Sequence, residues 1–168
     1  MESDTKLKDE LTQKIGVLTR RETEARIIAP FVDALIKNFS KEKVIPILEK
    51  TVMELARNQG SSLAKEYGND VSAFLETLKF WTQDGALEID LLEKNDTKLD
   101  FNVTRCRYAE MYKALGIHDL GAVLSCNRDA AMIEGFNQDA TLNRETTIMS
   151  GGKCCTFRYT FENPNAQG

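Results

Sequence analysis

The stretch LSCNRDAAMIEGFN at residues 124–137 places a thiol, a guanidinium and a carboxylate close together, on Cys126, Arg128 and Asp129. An arginine can hold a substrate carboxylate with its planar fork, while an acid or a thiolate does acid–base or nucleophilic work. In a structural alternative, Asp129 caps the next helix, Arg128 pairs with an acid such as Glu110, and Cys126 packs as a small apolar side chain. Composition alone favours this alternative, because ionic networks are often structural.

A second arginine, Arg144, is predicted to point towards the protein interior. In a strand it shares a face with Leu142, Thr146 and Ile148, because alternate side chains point the same way. A buried guanidinium must be paired or must bind an anion, since burying it alone is costly. Arg144 is therefore a candidate for binding a negatively charged ligand.

The cysteines do not have the spacing of a familiar metal site, because they lack a C-x2-C pair and suitably spaced histidines. The one histidine, His118, lies in GIHDLG, where a surface position is expected. Adjacent Cys154 and Cys155 face opposite ways in the last predicted strand, so only one of them serves a given pocket. There is no G-x-G-x-x-G or phosphate-binding loop. We predict no cofactor, although the pattern does not exclude a metal.

Composition restricts the class of protein. The 168-residue chain has 42% hydrophobic and 29% charged residues and a formal net charge of -4, with basic residues scattered among acidic ones. We expect one globular domain that binds neither nucleic acid nor membrane. The polar first ten residues do not resemble a secretory signal, and no window approaches ~20 uninterrupted apolar residues. A cytoplasmic location with reduced thiols is expected, and homo-oligomerisation is left open.

Residues 1–84 are predicted to be helical, because their apolar residues recur at helical spacing. The first helix spans about 19–39, and Pro30 opens or kinks it. The second begins after Ser40 as N-cap and ends near Gly60. A third follows Asp70, and its apolar stripe is interpreted as core rather than as an aromatic binding surface. The stripe consists of Val71, Phe74, Leu75, Leu78 and Trp81.

Residues 85–161 are predicted to form two hairpins with helices between them, because the apolar period drops to two after Gly85. The first hairpin turns at Asn95 and Asp96. The second joins Thr141–Met149 to Cys154–Phe161 through Ser150-Gly151-Gly152-Lys153. The intervening helices lie in RYAEMYKALG, LGAVL and AAMIEGF.

The predicted fold class is therefore α+β. N-terminal helices are followed by a mostly antiparallel sheet of two β-hairpins separated by short helices. All of this is assigned to a single domain, with a helical part at 1–84, a hairpin-helices-hairpin part at 85–161 and a tail at 162–168.

Three segments of the C-terminal half resemble the L-2-amino-thiazoline-4-carboxylic acid hydrolase family. They are RCRYAEMYKALG, LSCNRDAAMIEGFN and LNRETTIMSGGKCCTFRY. The resemblance spans roughly residues 100–161, and the N-terminal helices match only loosely. It implies hydrolytic opening of a thiazoline ring to a carbamoyl-cysteine, on a bacterial route to L-cysteine. The motif positions that it implicates are Cys106, Tyr108, Glu110, Cys126, Arg128, Asp129, Phe136, Asn137, Arg144, Thr147, Gly151, Cys154 and Phe157.

The implied reaction needs an acid and a base, because the ring carbon must accept a nucleophile and a ring heteroatom must leave. We hypothesise that Asp129 or Glu110 activates water, and that Arg128 or Arg144 holds the substrate carboxylate. Cys126 is an alternative nucleophile if a nearby cation lowers its pKa. The other predicted substrate contacts are Asn137, Thr147, Cys106 and Cys154.

Two other classes of function compete with an enzyme, because the acidic and thiol candidates have no evident histidine partner. One is a small-molecule sensor or binding module that holds a carboxylate or a metal-bound ligand without turning it over. The other is an interaction protein, which predicts a broad exposed apolar face at Phe31, Leu35 and Phe39.

Overall fold

The structure is a computed structural model that describes residues 9–162. The α-helices in this range are α1 (Leu11–Phe39), α2 (Lys41–Tyr67), α3 (Val71–Thr77), α4 (Lys79–Thr82), α5 (Arg107–Ala114), α6 (His118–Gly121) and α7 (Arg128–Phe136). The strands are β1 (Leu87–Lys94), β2 (Lys98–Cys106), β3 (Ala140–Asn143) and β4 (Cys155–Phe161). The predicted α+β class is confirmed. Beyond Glu162, the predicted tail lies outside the described residues.

The four strands form one antiparallel sheet in the order β1-β2-β4-β3. The first hairpin is as predicted: the Asn95 N–H donates to the Lys98 carbonyl at 3.0 Å and closes the turn. On β2, the buried residues Leu99, Phe101 and Val103 alternate with more exposed polar ones. This face of the sheet therefore joins the hydrophobic core, as the period of two predicts.

The second hairpin is shorter than predicted, because β3 ends at Asn143 and the strand prediction for residues 144–149 is wrong. Thr156 explains part of this difference: its hydroxyl accepts hydrogen bonds from the N–H groups of Glu145 and Thr146 at 2.9 and 3.2 Å. These side-chain bonds interrupt the regular ladder, although the Thr156 N–H still donates to the Thr146 carbonyl at 3.1 Å. Leu142 and Arg144 are half-buried as expected, whereas Thr146 is exposed.

Helix α1 begins at Leu11, earlier than predicted, and is interrupted at Gly16, where φ is 71°. Helix α2 begins after Ser40 as predicted, although the Ser40 side chain makes no capping hydrogen bond. The predicted end near Gly60 is wrong, because α2 continues to Tyr67. A Cβ on Gly60 would lie 2.1 Å from the Met132 carbonyl oxygen of α7. Gly60 is therefore a point of close helix contact and not a terminator.

The third predicted helix starts where expected, since the Asp70 carboxylate accepts a hydrogen bond from the Ala73 N–H at 2.8 Å. It divides at Leu78 into α3 and the single turn α4. Val71 and Phe74 are buried in the core as predicted, whereas Leu78 and Trp81 remain half-buried.

The C-terminal part of α1 carries exposed apolar side chains. Phe31 and Phe39 are 67% and 60% exposed, and Leu35 is also exposed. The apolar face that the interaction-protein alternative predicts is therefore present. None of the helices in residues 9–162 has the length and hydropathy of a membrane span.

Candidate functional site

A cavity of about 70 Å³, here called the inner cavity, lies where the helices meet the sheet. Helices α1, α2, α4, α5 and α7 contribute to its lining, together with β1, β2 and β4. A π-helical turn at Ala122–Cys126 leads into α7 and carries Ser125 and Cys126 to the same cavity. Three arginines reach it from separate segments: Arg21, Arg128 and Arg144.

Asp129 and Arg144 form an ion pair in the wall of the inner cavity. The Arg144 Nη1 donates to Asp129 Oδ2, and its Nη2 donates to the Cys126 carbonyl oxygen at 2.8 Å. The guanidinium also lies over the Phe157 ring, 5.2 Å from its centroid. The two side chains are only 22% and 15% exposed. Burial raises the pKa of the Asp129 carboxyl, and the charge of Arg144 opposes that rise.

Arg128 is a half-buried cation that has no acidic partner in contact among the described residues. Its Nη2 donates to Gln59 Oε1 at 3.2 Å, and no carboxylate of residues 9–162 lies within 4 Å of its guanidinium. Burial lowers the pKa of Arg128 to about 10, and the nearby charge of Arg21 lowers it further. The structural alternative that pairs Arg128 with Glu110 is wrong, because Glu110 pairs with Arg105 at 2.9 Å.

Arg21 also lines the inner cavity, and sequence reasoning missed it. It is 2% exposed, and its Nη1 lies 2.5 Å from Glu24 Oε2. Its buried Nε finds no hydrogen-bond acceptor among the described residues. One signal was present in the sequence: Val17, Arg21 and Ala25 follow one another at intervals of four and are all buried. An arginine inside such a stripe must be buried or break the stripe.

The thiols of the inner cavity are protonated near neutral pH. Burial raises the pKa of Cys126 to about 12, and the charge of Asp129 raises it further against the opposing charge of Arg144. Burial likewise raises the pKa of Cys106 to about 11. The condition for a nucleophilic Cys126, a pKa lowered by a cation, is therefore not met. Cys155, the first residue of β4, lines the cavity, whereas Cys154, which precedes the strand, does not, so only one of the two serves this pocket, as predicted.

The inner cavity brings together part of the predicted site. Five of the predicted residues line it: Cys106, Cys126, Arg128, Asp129 and Arg144. Four lie outside its lining: Glu110, Asn137, Thr147 and Cys154. Of these, Asn137 donates from Nδ2 to the Asn69 carbonyl at 2.8 Å, and Thr147 contacts Ser150 at 2.9 Å. Their contacts are those of loop and turn residues.

The rest of the inner cavity is mainly apolar. We define its apolar wall as Leu78, Trp81, Leu87, Ile89, Phe101 and Phe157. A hydrogen bond holds the backbone of Trp81 in place: the Tyr108 hydroxyl donates to the Trp81 carbonyl at 3.1 Å. Trp81 packs against the hydrophobic core, as predicted, and its side chain also forms part of the cavity surface.

A larger outer groove of about 750 Å³ lies beside α1 and α2. It shares Gln59 and Arg128 with the inner cavity. In the described part of the chain, no three His, Cys, Asp or Glu side chains are grouped to hold a metal ion. The absence of a cofactor stays a prediction.

Two solved structures resemble this chain at 10% sequence identity. The phenol-responsive sensory domain of the transcription activator PoxR, crystallised with phenol, matches with a TM-score of 0.52 over 86% of this chain and 75% of that domain. A trafficking protein particle complex subunit 3 from Naegleria fowleri, covalently bound to palmitic acid, matches with a TM-score of 0.48 over 86% and 96% of the two chains. At this identity, the first match shows a likeness of fold.

No curated protein matches the sequence significantly. The model of the L-2-amino-thiazoline-4-carboxylic acid hydrolase family matches residues 20–159. This match extends the resemblance of the C-terminal motifs to most of the chain, including the helices that carry Arg21 and Gln59. The chain therefore belongs to the L-2-amino-thiazoline-4-carboxylic acid hydrolase family.

Proposed function

We propose that the protein is a hydrolase that opens the ring of a small cyclic amidine bearing a carboxylate, such as L-2-amino-thiazoline-4-carboxylate, in the inner cavity. Membership of the family supports this reaction class. The observation that carries the proposal is the unpaired charge of Arg128 beside the Asp129–Arg144 pair. A half-buried cation with no acidic partner is suited to bind the carboxylate of a ligand.

The proposed roles follow from the charges and the pKa shifts. Arg128 binds the substrate carboxylate, and Asp129 accepts a proton from water as the water oxygen attacks the ring carbon. Arg144 orients Asp129. The protonated Asp129 then returns the proton to the departing ring sulfur or nitrogen. The ring opens by loss of sulfur as a thiol or of nitrogen as an amine, and either product is a carbamoyl-cysteine. Because the Cys126 thiol is protonated at neutral pH, water is the nucleophile in this proposal.

The proposal is tested with two matched variants and the thiazoline as substrate. Asp129→Asn removes the base, whereas Cys126→Ser leaves the backbone carbonyl that accepts from Arg144 in place. We expect Asp129→Asn to lower kcat at least about a hundredfold and Cys126→Ser to retain turnover, measured by the release of free thiol and carbamoyl product. Thermal unfolding shows whether each variant is folded. If Asp129→Asn does not fold, Asp129→Glu, which keeps the negative charge but moves the carboxylate, takes its place. Undiminished turnover by folded Asp129→Asn contradicts the proposal.

A second candidate is a non-catalytic binding or sensor module for a small carboxylate. Two observations favour it: Arg144 already occupies the Asp129 carboxylate, and the fold is shared with a sensory domain that is described as phenol-responsive. In that case the pure protein binds the thiazoline but forms no product. If the protein is the hydrolase, its carbamoyl-cysteine product fits a cytoplasmic, bacterial route to L-cysteine.

A further inference from the structure

We infer that the ligand of the inner cavity is an amphiphilic carboxylate, whose anionic group binds Arg128 and whose aromatic or branched aliphatic body lies against the apolar wall. This inference rests on the proposed function in that it names the substrate class of the same cavity. It concerns what the cavity binds and does not depend on whether the bound molecule is hydrolysed.

The polar end of the cavity has more positive than negative charge. Of the arginines that line it, Arg144 is neutralised by Asp129 and Arg21 contacts Glu24. Among residues 9–162, the side-chain hydrogen-bond partner of Arg128 is the neutral oxygen of Gln59. Arg21 adds a second guanidinium to the lining, although its Nε is fully buried and its Nη1 contacts Glu24. The charge of Arg128 can be satisfied by one carboxylate, because the two oxygens accept several hydrogen bonds.

The apolar end shows the complementary feature. Leu78, Trp81, Leu87, Ile89 and Phe157 pack against the hydrophobic core but are only partly buried. All five line the inner cavity. Covering apolar surface is favourable in proportion to its area, so a ligand with an apolar body binds more tightly than a carboxylate alone. The aromatic rings of Trp81 and Phe157 favour a flat body.

The protein provides its own probe for this test, because Trp81 is its single tryptophan and lines the cavity. Intrinsic fluorescence is titrated with three compounds: phenylacetate, acetate and benzyl alcohol. Phenylacetate has both a carboxylate and an apolar ring, and each of the others lacks one of these parts. We expect phenylacetate to bind at least about tenfold more tightly than either, since it gains both kinds of contact.

The anionic end is tested with Arg128→Met and with Arg128→Lys, which keeps the charge but removes the planar guanidinium. Each is expected to weaken phenylacetate binding at least about fivefold and to leave benzyl alcohol binding nearly unchanged. Calorimetric titration checks the fluorescence result. Arg128→Lys keeps the test decisive if Arg128→Met does not fold.

Two results overturn the inference. If acetate binds as tightly as phenylacetate, the apolar wall does not recognise the ring. If benzyl alcohol binds as tightly as phenylacetate, the polar end does not recognise the carboxylate. Failure of this inference is distinct from failure of the proposed function. Thiazoline turnover without phenylacetate binding removes only the inference, whereas phenylacetate binding without turnover removes only the hydrolase.

Discussion

Replacing Gln59 by glutamate is expected to weaken anion binding by Arg128, because the new carboxylate pairs with the guanidinium itself. The wild-type amide oxygen lies 3.2 Å from Arg128 Nη2. A carboxylate oxygen at that distance attracts the guanidinium by about 5 kcal/mol with an effective dielectric constant near 20. Burial of the new charge offsets much of this attraction, which leaves the roughly 1.5–3 kcal/mol of a charged hydrogen bond. A ligand carboxylate must compete with that bond, so its affinity falls about ten- to a hundredfold.

The measurement is the KM of thiazoline turnover together with the Kd of phenylacetate from Trp81 fluorescence. Gln59→Met is the matched control, because it removes the same hydrogen bond from Arg128 without adding a charge, and we expect its affinity to stay within about threefold of wild type. Affinity of Gln59→Glu should recover at acid pH, where the introduced carboxyl is protonated. Wild-type affinity of Gln59→Glu at neutral pH would refute the assignment of Arg128 as the carboxylate ligand.

Two further predictions concern the charge of the site and the helix crossing. Carboxylate affinity should fall as the pH rises through about 10, because Arg128, whose pKa is lowered to about 10, then loses its proton. Fluorescence titration with phenylacetate between about pH 8 and 11 measures this change. An affinity that does not change with pH argues against Arg128 as the carboxylate ligand. Gly60→Ala should lower the free energy of unfolding by about 3 kcal/mol or more, because its Cβ would meet the Met132 carbonyl at 2.1 Å. The neighbouring exposed control Ser62→Ala should cost less than about 1 kcal/mol in urea unfolding.

The parts of the fold that depend on local pattern are the parts that the sequence predicts well. The alternation of β1 and β2 gives the first hairpin and its turn at Asn95, and Asp70 caps α3 as its position suggests. The role of Gly60 could not be predicted in this way, because the local sequence does not distinguish a glycine that ends a helix from one at a helix crossing. The distinction depends on Met132, which lies more than seventy positions away and is brought close only by tertiary packing.

The same reasoning explains which site residues the sequence reveals. Cys126, Arg128 and Asp129 are neighbours in the chain, so their clustering is visible without a structure. Arg144 was identified through its apolar strand neighbours, although the strand ends just before it. Arg21 was missed because its partner Glu24 and its polar neighbours make the segment RRETE resemble an exposed helix face.

The energetic cost of the inner cavity favours its use as a binding site. Arg128 carries a half-buried charge without a contacting acid in the described chain. This arrangement destabilises the folded protein, and an apolar side chain of similar size would remove the cost. The half-buried ring of Trp81 adds apolar surface to the lining of the same cavity. A ligand with a carboxylate and an apolar body contacts both features at once.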